Sequence, residues 1–490
     1  MDMIQIVVNT LFFIGGTIFT AGLVLFLKIN WAIIKNKTAL SAAFGAVAAL
    51  TASGSAGFFN EQIPAGSNAS IMKFAVLCIL FVLFIATVLK SIVVDYFQPL
   101  SLSNVTCIFF IIGICTTIAT SLLDLLLKIN SSLSLFLPAG IVLSVLIGIF
   151  WAKTQAWSNF ENINGEPLFL FVNGEAGYKT FRIPSLIVLD KEALNKTYGY
   201  NFANDVLLAS AEARRNSSHD LGEIDIVGKL SGDGGKSWTK LNVLFHVENG
   251  IGKAGNPTPV FDKVNGVLNF VCTNGTKAGN YLVSTNNIQG VLHSDLTITW
   301  KDKILIGSSV PGPGKSIQLK SGRLVVPCGG HTLCSDDYGF TWKTGEMARG
   351  GESEALELSN GELMMVTRFG PGCSKYHPSQ VQKISYSKDG GESWYMHCDT
   401  PLKTPMCQSS LDKTSDGTIY FSHPDCFLTR ANLSVGISAD NGKNWSVKRL
   451  YNGPSGYSCV AVDSKDTVYV LAEAGKVNYN EALIFLNIRK

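Results

Sequence analysis

An eight-residue pattern recurs along the C-terminal part of this chain and constrains its fold more than any other feature. The pattern is S-x-D-x-G-x-S/T-W, and its clear copies begin at Ser231, Ser335, Ser387 and Ser438. The last three copies are about 52 residues apart and the first gap is twice as long, so a further copy is expected near residue 283. Ser284-Thr285-Asn286 lies there, without the Gly and the Trp. A repeat of this period is typical of a solenoid or a propeller.

Each residue of the pattern has a physical role in a turn. The Asp carboxylate can accept hydrogen bonds from the N–H groups of its own turn, and the Gly permits a positive φ. The Trp ring can be buried between neighbouring units. A region of roughly 310 residues accommodates six such units. The sequence therefore predicts an all-β six-bladed propeller of four-stranded blades, in which the repeated turns are structural and not catalytic.

The repeat follows a second motif, Phe181-Arg182-Ile183-Pro184. Together the two resemble the sialidase (neuraminidase) family, with its Asp boxes and its arginine motif. The resemblance covers about residues 165–490 and implies an exo-α-sialidase, a glycoside hydrolase that removes terminal sialic acids. The substrates it implies are sialylated glycoproteins, glycolipids such as gangliosides, and oligosaccharides.

Composition limits the other partners of the chain. A net charge of +3 gives no reason to expect a nucleic-acid partner. The cysteines after residue 152 form no C-x-x-C pair and the histidines form no H-E-x-x-H motif, so neither a metal site nor a cofactor is predicted. An even number of cysteines in this region leaves disulfides open.

The first 152 residues contain several long apolar segments. Four of them are long enough or nearly long enough to cross a bilayer: Ile4–Phe26, Phe74–Leu89, Val105–Leu123 and Leu133–Ala152. The uncharged segment Ala39–Phe59 is either a fifth span, packed through its small residues, or a re-entrant or peripheral helix. The sequence thus predicts an α-helical transmembrane region of four or five helices ahead of the propeller.

The predicted domains are a membrane region over 1–153, a polar linker over 154–166 and the propeller over 167–490. Lys and Arg counts do not choose between four spans, which place the propeller outside, and five, which place it inside. Five Asn-x-Ser/Thr sites favour the outside. The prediction is an integral membrane protein with its catalytic domain on the extracytoplasmic side.

A sialic acid carries a carboxylate on its anomeric carbon, and arginine binds a planar carboxylate through paired N–H groups. The resemblance implies that Arg182, Arg368 and Arg430 form the arginine triad of the family.

The same carboxylate repels a carboxylate nucleophile, and sialidases use a tyrosine instead. In the resemblance Tyr457 matches that nucleophile and Glu352 matches the glutamate that activates it. Glu354 is the nearby alternative to Glu352, and Glu357 is a weaker one.

Hydrolysis also needs an acid that protonates the leaving oxygen. Asp220 falls where the family has its acid/base aspartate, and Asp225 is the less favoured alternative. Arg214 resembles the arginine that contacts the sugar ring, and Glu473 resembles the carboxylate that steadies the first arginine.

Three other functions are weighed against hydrolysis. A trans-sialidase would transfer the sugar to another glycan. A catalytically inactive sialic-acid-binding lectin would need the arginines but not Tyr457, Glu352 and Asp220 together. A membrane transporter or scaffold is disfavoured, because the firm spans contain no charge except Asp124 near an end.

Overall fold

The computed structural model describes residues 160–488, apart from 221, 247–252, 276–283, 330, 347–349, 369–381, 427–428 and 477. All of them belong to one compact unit, Gln155–Lys490. In this part of the chain 23 strands are accompanied by one α-helix, α1 (Lys191–Tyr198), and one short 3₁₀ turn, Glu175–Gly177. The described structure is therefore β-rich.

Helix α1 is a short connection between two strands. It begins after Asp190, whose carboxylate accepts a hydrogen bond from the N–H of Ala193 at 2.9 Å, and it ends at Gly199, which has a φ of 71°. The helix has eight residues, whereas a membrane-spanning helix needs about 20 apolar residues. Among the described residues no helix is long and apolar enough to cross a bilayer.

This finding corrects the predicted fold class and localisation. The spans predicted within 1–153 lie outside the described residues. A helical membrane region is not part of the fold that the structure describes, and neither the integral-membrane localisation nor the lipid bilayer as a partner is supported. We therefore withdraw those predictions.

An eight-stranded sheet holds the first strands after the arginine motif. Its members are β2 (Thr180–Leu189), β3 (Val206–Arg214), β4 (Ile224–Ser231), β5 (Asn242–Phe245), β6 (Lys253–Asp262), β7 (Val267–Gly275), β8 (Ser284–Leu292) and β9 (Ile298–Gly307). Strands β2 to β5 pair antiparallel, and so do β6 to β9. One parallel pair, Ile224 with Lys253, joins the two sets.

Two four-stranded antiparallel sheets follow. The first contains β10 (Ile317–Gln318), β11 (Leu324–Cys328), β12 (His331–Ser335) and β13 (Lys343–Thr344). The second contains β14 (Ser353–Glu357), β15 (Leu363–Arg368), β16 (Gln382–Ser387) and β17 (Tyr395–Asp399). In both, each strand pairs with the next one along the chain, as in a meander.

A seven-stranded sheet combines the two ends of the described chain. Its order is β1 (Leu168–Val172), β23 (Ala482–Asn487), β22 (Val468–Ala474), β21 (Ser446–Val462), β20 (Ala431–Ser438), β19 (Ile419–Pro424) and β18 (Ser410–Lys413). Strand β21 has 17 residues. Its first part pairs with β20 and its second part pairs with β22.

The prediction of six separate four-stranded blades is corrected to four sheets in the described part of the chain. The repeat in the sequence marks turns, and turns do not determine where hydrogen bonding between strands stops. Two connections extend the sheets beyond four strands. The continuous β21 joins one set of strands to the next, and the pairing of Ile224 with Lys253 joins another.

The repeated turns have the geometry that their residues suggest. In the copy at Ser231, Asp233 Oδ1 accepts hydrogen bonds from the N–H of Ser237 at 2.9 Å and from the hydroxyl of Ser231 at 2.8 Å. Trp238 Nε1 donates to the carbonyl of Gly235, and its ring packs edge-on against Phe485. These bonds close the turn within itself and leave its Trp to pack on a neighbouring strand.

Asn444 makes the same turn without a hydroxyl. Its amide nitrogen donates to Asp440 Oδ2 at 2.7 Å, and its backbone N–H donates to Asp440 Oδ1 at 2.9 Å. Hydrogen bonds from the backbone and side chain of Asn444 lower the pKa of Asp440 to about 2. Replacement of Ser by Asn therefore preserves the turn.

The degenerate copy of the pattern does not lie at Ser284-Thr285-Asn286, which is the start of β8. The turn after β8 contains Asp295, whose Oδ1 accepts from the N–H of Thr297 at 3.0 Å. The ring of Trp300 then packs against Phe245. The spacing from His293 through Asp295 to Trp300 equals that of a complete copy, with His in place of Ser and Thr297 in place of Gly.

Candidate active site

Arg182 and Glu473 form a buried ion pair that joins two strands distant in sequence. Arg182 Nε donates to Glu473 Oε1 at 3.0 Å, and Arg182 Nη2 donates to Oε2 at 3.3 Å. Glu473 also accepts from the backbone N–H groups of Ile183 and Tyr457, both at 3.1 Å. Burial lowers the pKa of Arg182, but Glu473 outweighs burial and raises that pKa above its ordinary value. Glu473 thus holds β2, β21 and β22 together at this point.

The local backbone of the arginine motif serves the same pair. Ile183, directly after Arg182, has a φ of 57°, in the left-handed region that β-branched residues rarely adopt. The strand pairing of β2 with β3 shifts register between Arg182 and Ser185. Pro184 lies inside this irregularity, where a missing backbone donor is tolerated.

Tyr457 lies at the centre of the site with its side chain almost fully buried. Its hydroxyl donates a short hydrogen bond to Glu352 Oε1 and accepts one from Arg368 Nη1 at 2.7 Å. The same Arg368 nitrogen donates to Glu352 Oε2 at 2.6 Å. Burial, followed by the charge of Glu352, raises the pKa of Tyr457 well above its ordinary value. The hydroxyl therefore keeps its proton at neutral pH and already has a carboxylate acceptor for it.

Two further arginines face the ring of Tyr457. The guanidinium carbon of Arg430 is 5.1 Å from the ring centre, and that of Arg182 is 5.4 Å from it. Both guanidiniums are also 5.1 Å and 5.4 Å, respectively, from the ring of Tyr479. Arg430 Nη1 donates to the Tyr479 hydroxyl at 3.3 Å. The three predicted arginines thus surround one tyrosine, and Tyr479 is a member of the site that sequence reasoning did not identify.

Asp220 reaches the same place from an exposed loop. Its carboxylate Oδ1 is 2.8 Å from Arg214 Nη2 and 3.5 Å from Arg182 Nη1, while 71% of its side chain is exposed. Arg214 is almost completely buried and binds Glu212 through both Nε and Nη2. Glu212 is a second residue that sequence reasoning missed, although it lies two positions before Arg214 on the same face of β3.

The alternative carboxylates lie in other surroundings. Glu354 is buried against Lys315 at 2.8 Å and accepts from the Ser410 hydroxyl at 2.6 Å. Glu357 accepts from a backbone N–H at the surface, at Lys320. Asp225 is bound by the hydroxyl of Tyr178 at 2.6 Å. The structure therefore brings Glu352 and Asp220 to Tyr457 and the arginines, and none of these contacts of the three alternatives is to Tyr457 or the arginine triad.

In the described part of the chain, no group of three or more His, Cys, Asp or Glu side chains is arranged to hold a metal ion. The cysteines described as free thiols are Cys272, Cys328, Cys334, Cys398, Cys407, Cys426 and Cys459.

The chain is similar to known proteins mainly in this unit. It is 28% identical over 352 residues to a sialidase of Bacteroides fragilis, a match that covers 61% of each chain. It is 25% identical to a sialidase of Micromonospora viridifaciens, covering 64% of this chain and 53% of the relative. Sialidase-3 of Mus musculus is 27% identical, with 64% of this chain and 92% of the relative covered. The match thus spans about three-fifths or less of the two bacterial relatives.

Solved structures share the fold. The Hadza microbial sialidase Hz136 superposes with a TM-score of 0.55 at 23% identity, over 66% of this chain and 68% of its own. Trypanosoma rangeli sialidase in complex with sialic acid gives a TM-score of 0.53 at 20% identity, over 66% and 58%. Residues 205–470, more than half of the sequence, match the BNR repeat-like domain family. The chain therefore belongs to the BNR repeat-like domain family.

Proposed function

We propose that this protein is a retaining exo-α-sialidase, which hydrolyses terminal sialic acids of glycoproteins, glycolipids or oligosaccharides through a covalent bond to Tyr457. The observation that carries the proposal is the hydrogen-bonded unit of Tyr457, Glu352 and Arg368. The names of the relatives support the substrate class.

The arginines supply the means to bind the substrate. Arg368 hydrogen bonds to the hydroxyl of Tyr457, and Arg182 and Arg430 face its ring. A carboxylate placed beside this tyrosine would meet three guanidinium groups, each with N–H donors suited to a planar anion. A terminal sialic acid carries such a carboxylate on the carbon that is attacked, so binding also orients that carbon.

The first chemical step would use both carboxylic acids. Glu352 takes the phenolic proton while the oxygen of Tyr457 forms a bond to the anomeric carbon. Asp220 gives a proton to the glycosidic oxygen as the bond between that oxygen and the anomeric carbon breaks, and the aglycone leaves as an alcohol. Because burial raises the pKa of Tyr457, the phenol requires this base.

The second step would reverse these proton transfers. Asp220 takes a proton from water, and the water oxygen bonds to the anomeric carbon. The bond to Tyr457 breaks, and its oxygen regains a proton from Glu352. Two displacements at one carbon retain its configuration.

The test uses full-length protein with an α-sialoside of a fluorescent alcohol and follows the sugar product by NMR. We expect release of the alcohol, with the α-anomer of free sialic acid formed first. A fluorinated sialosyl fluoride should leave a sugar adduct on Tyr457, located by peptide mapping. Absence of cleavage would refute the sialidase proposal, and first formation of the β-anomer or an adduct on another residue would refute the tyrosyl mechanism.

A further inference from the structure

Arg214 is placed so that its guanidinium holds the Asp220 loop, which we define as residues 215–220. Arg214 Nη2 is 2.6 Å from Glu212 Oε2 and 2.8 Å from Asp220 Oδ1, and Nη1 donates to the carbonyl of Ser218 at 2.5 Å. The side chain of Arg214 is 1% exposed. Three of its contacts are thus to its own strand and to the loop, and little of its surface is left for a ligand.

Glu212 is held from the other side as well. Its Oε1 accepts from the N–H of Asn256 at 3.1 Å and is 3.4 Å from Lys253 Nζ. A Cβ atom at Gly255 would lie 2.6 Å from this oxygen, so the glycine is needed for the close approach. Burial raises the pKa of Glu212, but Lys253 and Arg214 outweigh burial and hold it at about 2. Glu212 is therefore a fixed, ionised anchor for Arg214.

The loop itself has little else to hold it in place. Asn216, Ser218, His219 and Asp220 are exposed. A cavity of about 210 Å³, lined in part by Arg214, Asn216, His219 and Glu223, lies beside Arg214 at this loop. Because the loop borders a cavity and is not packed on an apolar core, the polar contacts of Arg214 are its main described support.

From this geometry we infer that Glu212 and Arg214 form a buried brace that positions Asp220 over the site. Arg214 is then a positioning residue and not a contact to the sugar, which differs from the role that the family resemblance implies. The inference rests on the proposed function, in which Asp220 protonates the leaving oxygen. A brace acts on the leaving-group side of the reaction, whereas a sugar contact would act on every substrate and inhibitor alike.

The test compares two kinds of substrate and one inhibitor. An alkyl sialoside such as sialyllactose needs protonation of its leaving oxygen, whereas a nitrophenyl sialoside leaves without it. The 2,3-unsaturated sialic acid analogue has no leaving group and reports binding of the sugar alone. The variants are Glu212→Gln and the double variant Glu212→Gln/Arg214→Met, which removes a buried ion pair and is tolerated in many cores. Arg323→Met, at an arginine in another sheet, is the matched control.

We expect kcat/KM for the alkyl sialoside to fall about ten- to a hundredfold in both variants, the scale of a misplaced catalytic group. The nitrophenyl sialoside and the affinity for the unsaturated analogue should change less than about threefold. Hydrogen exchange of the peptide that covers residues 215–220 should become faster in the variants and stay unchanged in Arg323→Met. This last measurement does not depend on any activity.

The outcomes separate the two proposals. If wild-type protein cleaves no sialoside, the proposed function fails, and hydrogen exchange still decides whether the brace exists. An equal loss for both substrates, together with weaker binding of the analogue, would overturn the inference and return Arg214 to the sugar. Unchanged exchange in the double variant would overturn it as well. If Glu212→Gln does not fold because Arg214 is left unpaired, the double variant provides the measurement.

Discussion

Glu473 binds the guanidinium of Arg182 across 291 positions of sequence and also accepts the backbone N–H of Tyr457 at 3.1 Å. One buried carboxylate therefore fixes both an arginine of the candidate site and the residue proposed to be its nucleophile. The relative placement of the two depends on the pairing of β2, β21 and β22 and not on any flexible segment. Such preorganisation is what a site needs when charge develops at one atom.

Replacement of Tyr457 by Phe should abolish most turnover while the ring keeps its packing. We expect a loss of at least about a thousandfold, near 4 kcal/mol in activation free energy. Glu352→Gln should cost a similar amount, and the double variant should cost little more than either change, since members of one catalytic unit are not additive. Single-turnover rates with a fluorogenic sialoside measure all three. Tyr420→Phe, at a buried tyrosine of β19, is the control, and near-normal turnover in a folded Tyr457→Phe variant would return Tyr457 to a packing role.

Replacement of Arg368 by Lys should weaken binding by roughly 1.5–3 kcal/mol, the scale of a lost charged hydrogen bond. Lysine keeps the charge but loses the second donor that a planar carboxylate requires. Titration calorimetry with a sialic acid analogue and with its carboxamide tests this. The variant should bind both forms with nearly equal affinity. Fully additive losses would mean that Arg368 does not contact the carboxylate.

Stability at low pH should depend on Glu212. The pKa of Glu212 is about 2 in the folded protein against an ordinary value of 4.5, so its contribution is present above about 4.5 and is lost as the pH falls toward 2. The free energy of unfolding, measured by urea at pH values from 6 to 2.5, should exceed that of Glu212→Gln by on the order of 3 kcal/mol at the upper end. The two curves should converge at the lower end. A constant difference across this range would contradict the assignment.

Gly235 should tolerate no side chain, because of its neighbour as well as its backbone. It has a φ of 83°, and an added Cβ would lie 2.4 Å from the ring of Phe485. Gly174 has a φ of 93° and nothing within 4 Å of the same position. Replacement of each by Ala imposes a similar backbone strain, so Gly235→Ala should lose an additional 1–3 kcal/mol or so from overpacking. Equal losses in thermal and urea unfolding would show that Phe485 moves aside freely.

The sequence predicts the local parts of this fold and misses the connections between them. The turns at Asp233 and Asp440 are legible because every hydrogen bond in them spans a few residues. The extent of the sheets is not, since the passage of β21 from one partner to another depends on strands far apart in the chain. The copy at His293 was placed about ten residues too early, because position was weighed above the spacing of its Asp and Trp.

The same distinction applies to the candidate site. Arg182, Tyr457 and the other predicted residues stand in motifs, so a resemblance can point to them. Tyr479 follows no motif, and only the fold brings its ring to within 5.1 Å of the Arg430 guanidinium. Glu212 carried a weak signal in its spacing of two from Arg214 on a strand, which places both side chains on one face. The roles of all these residues in catalysis remain proposals until the variants above are measured.

The pairing of β1 with β23 also determines how this unit can be made. During synthesis β1 leaves the ribosome first, and the backbone groups that β23 will occupy stay open until Ala482–Asn487 emerges. An unpaired strand edge recruits other strands, including those of neighbouring nascent chains. A chain that stops short of residue 482 would therefore leave unsatisfied edges on both β1 and β22, and its fate would be aggregation or degradation and not a slightly smaller enzyme.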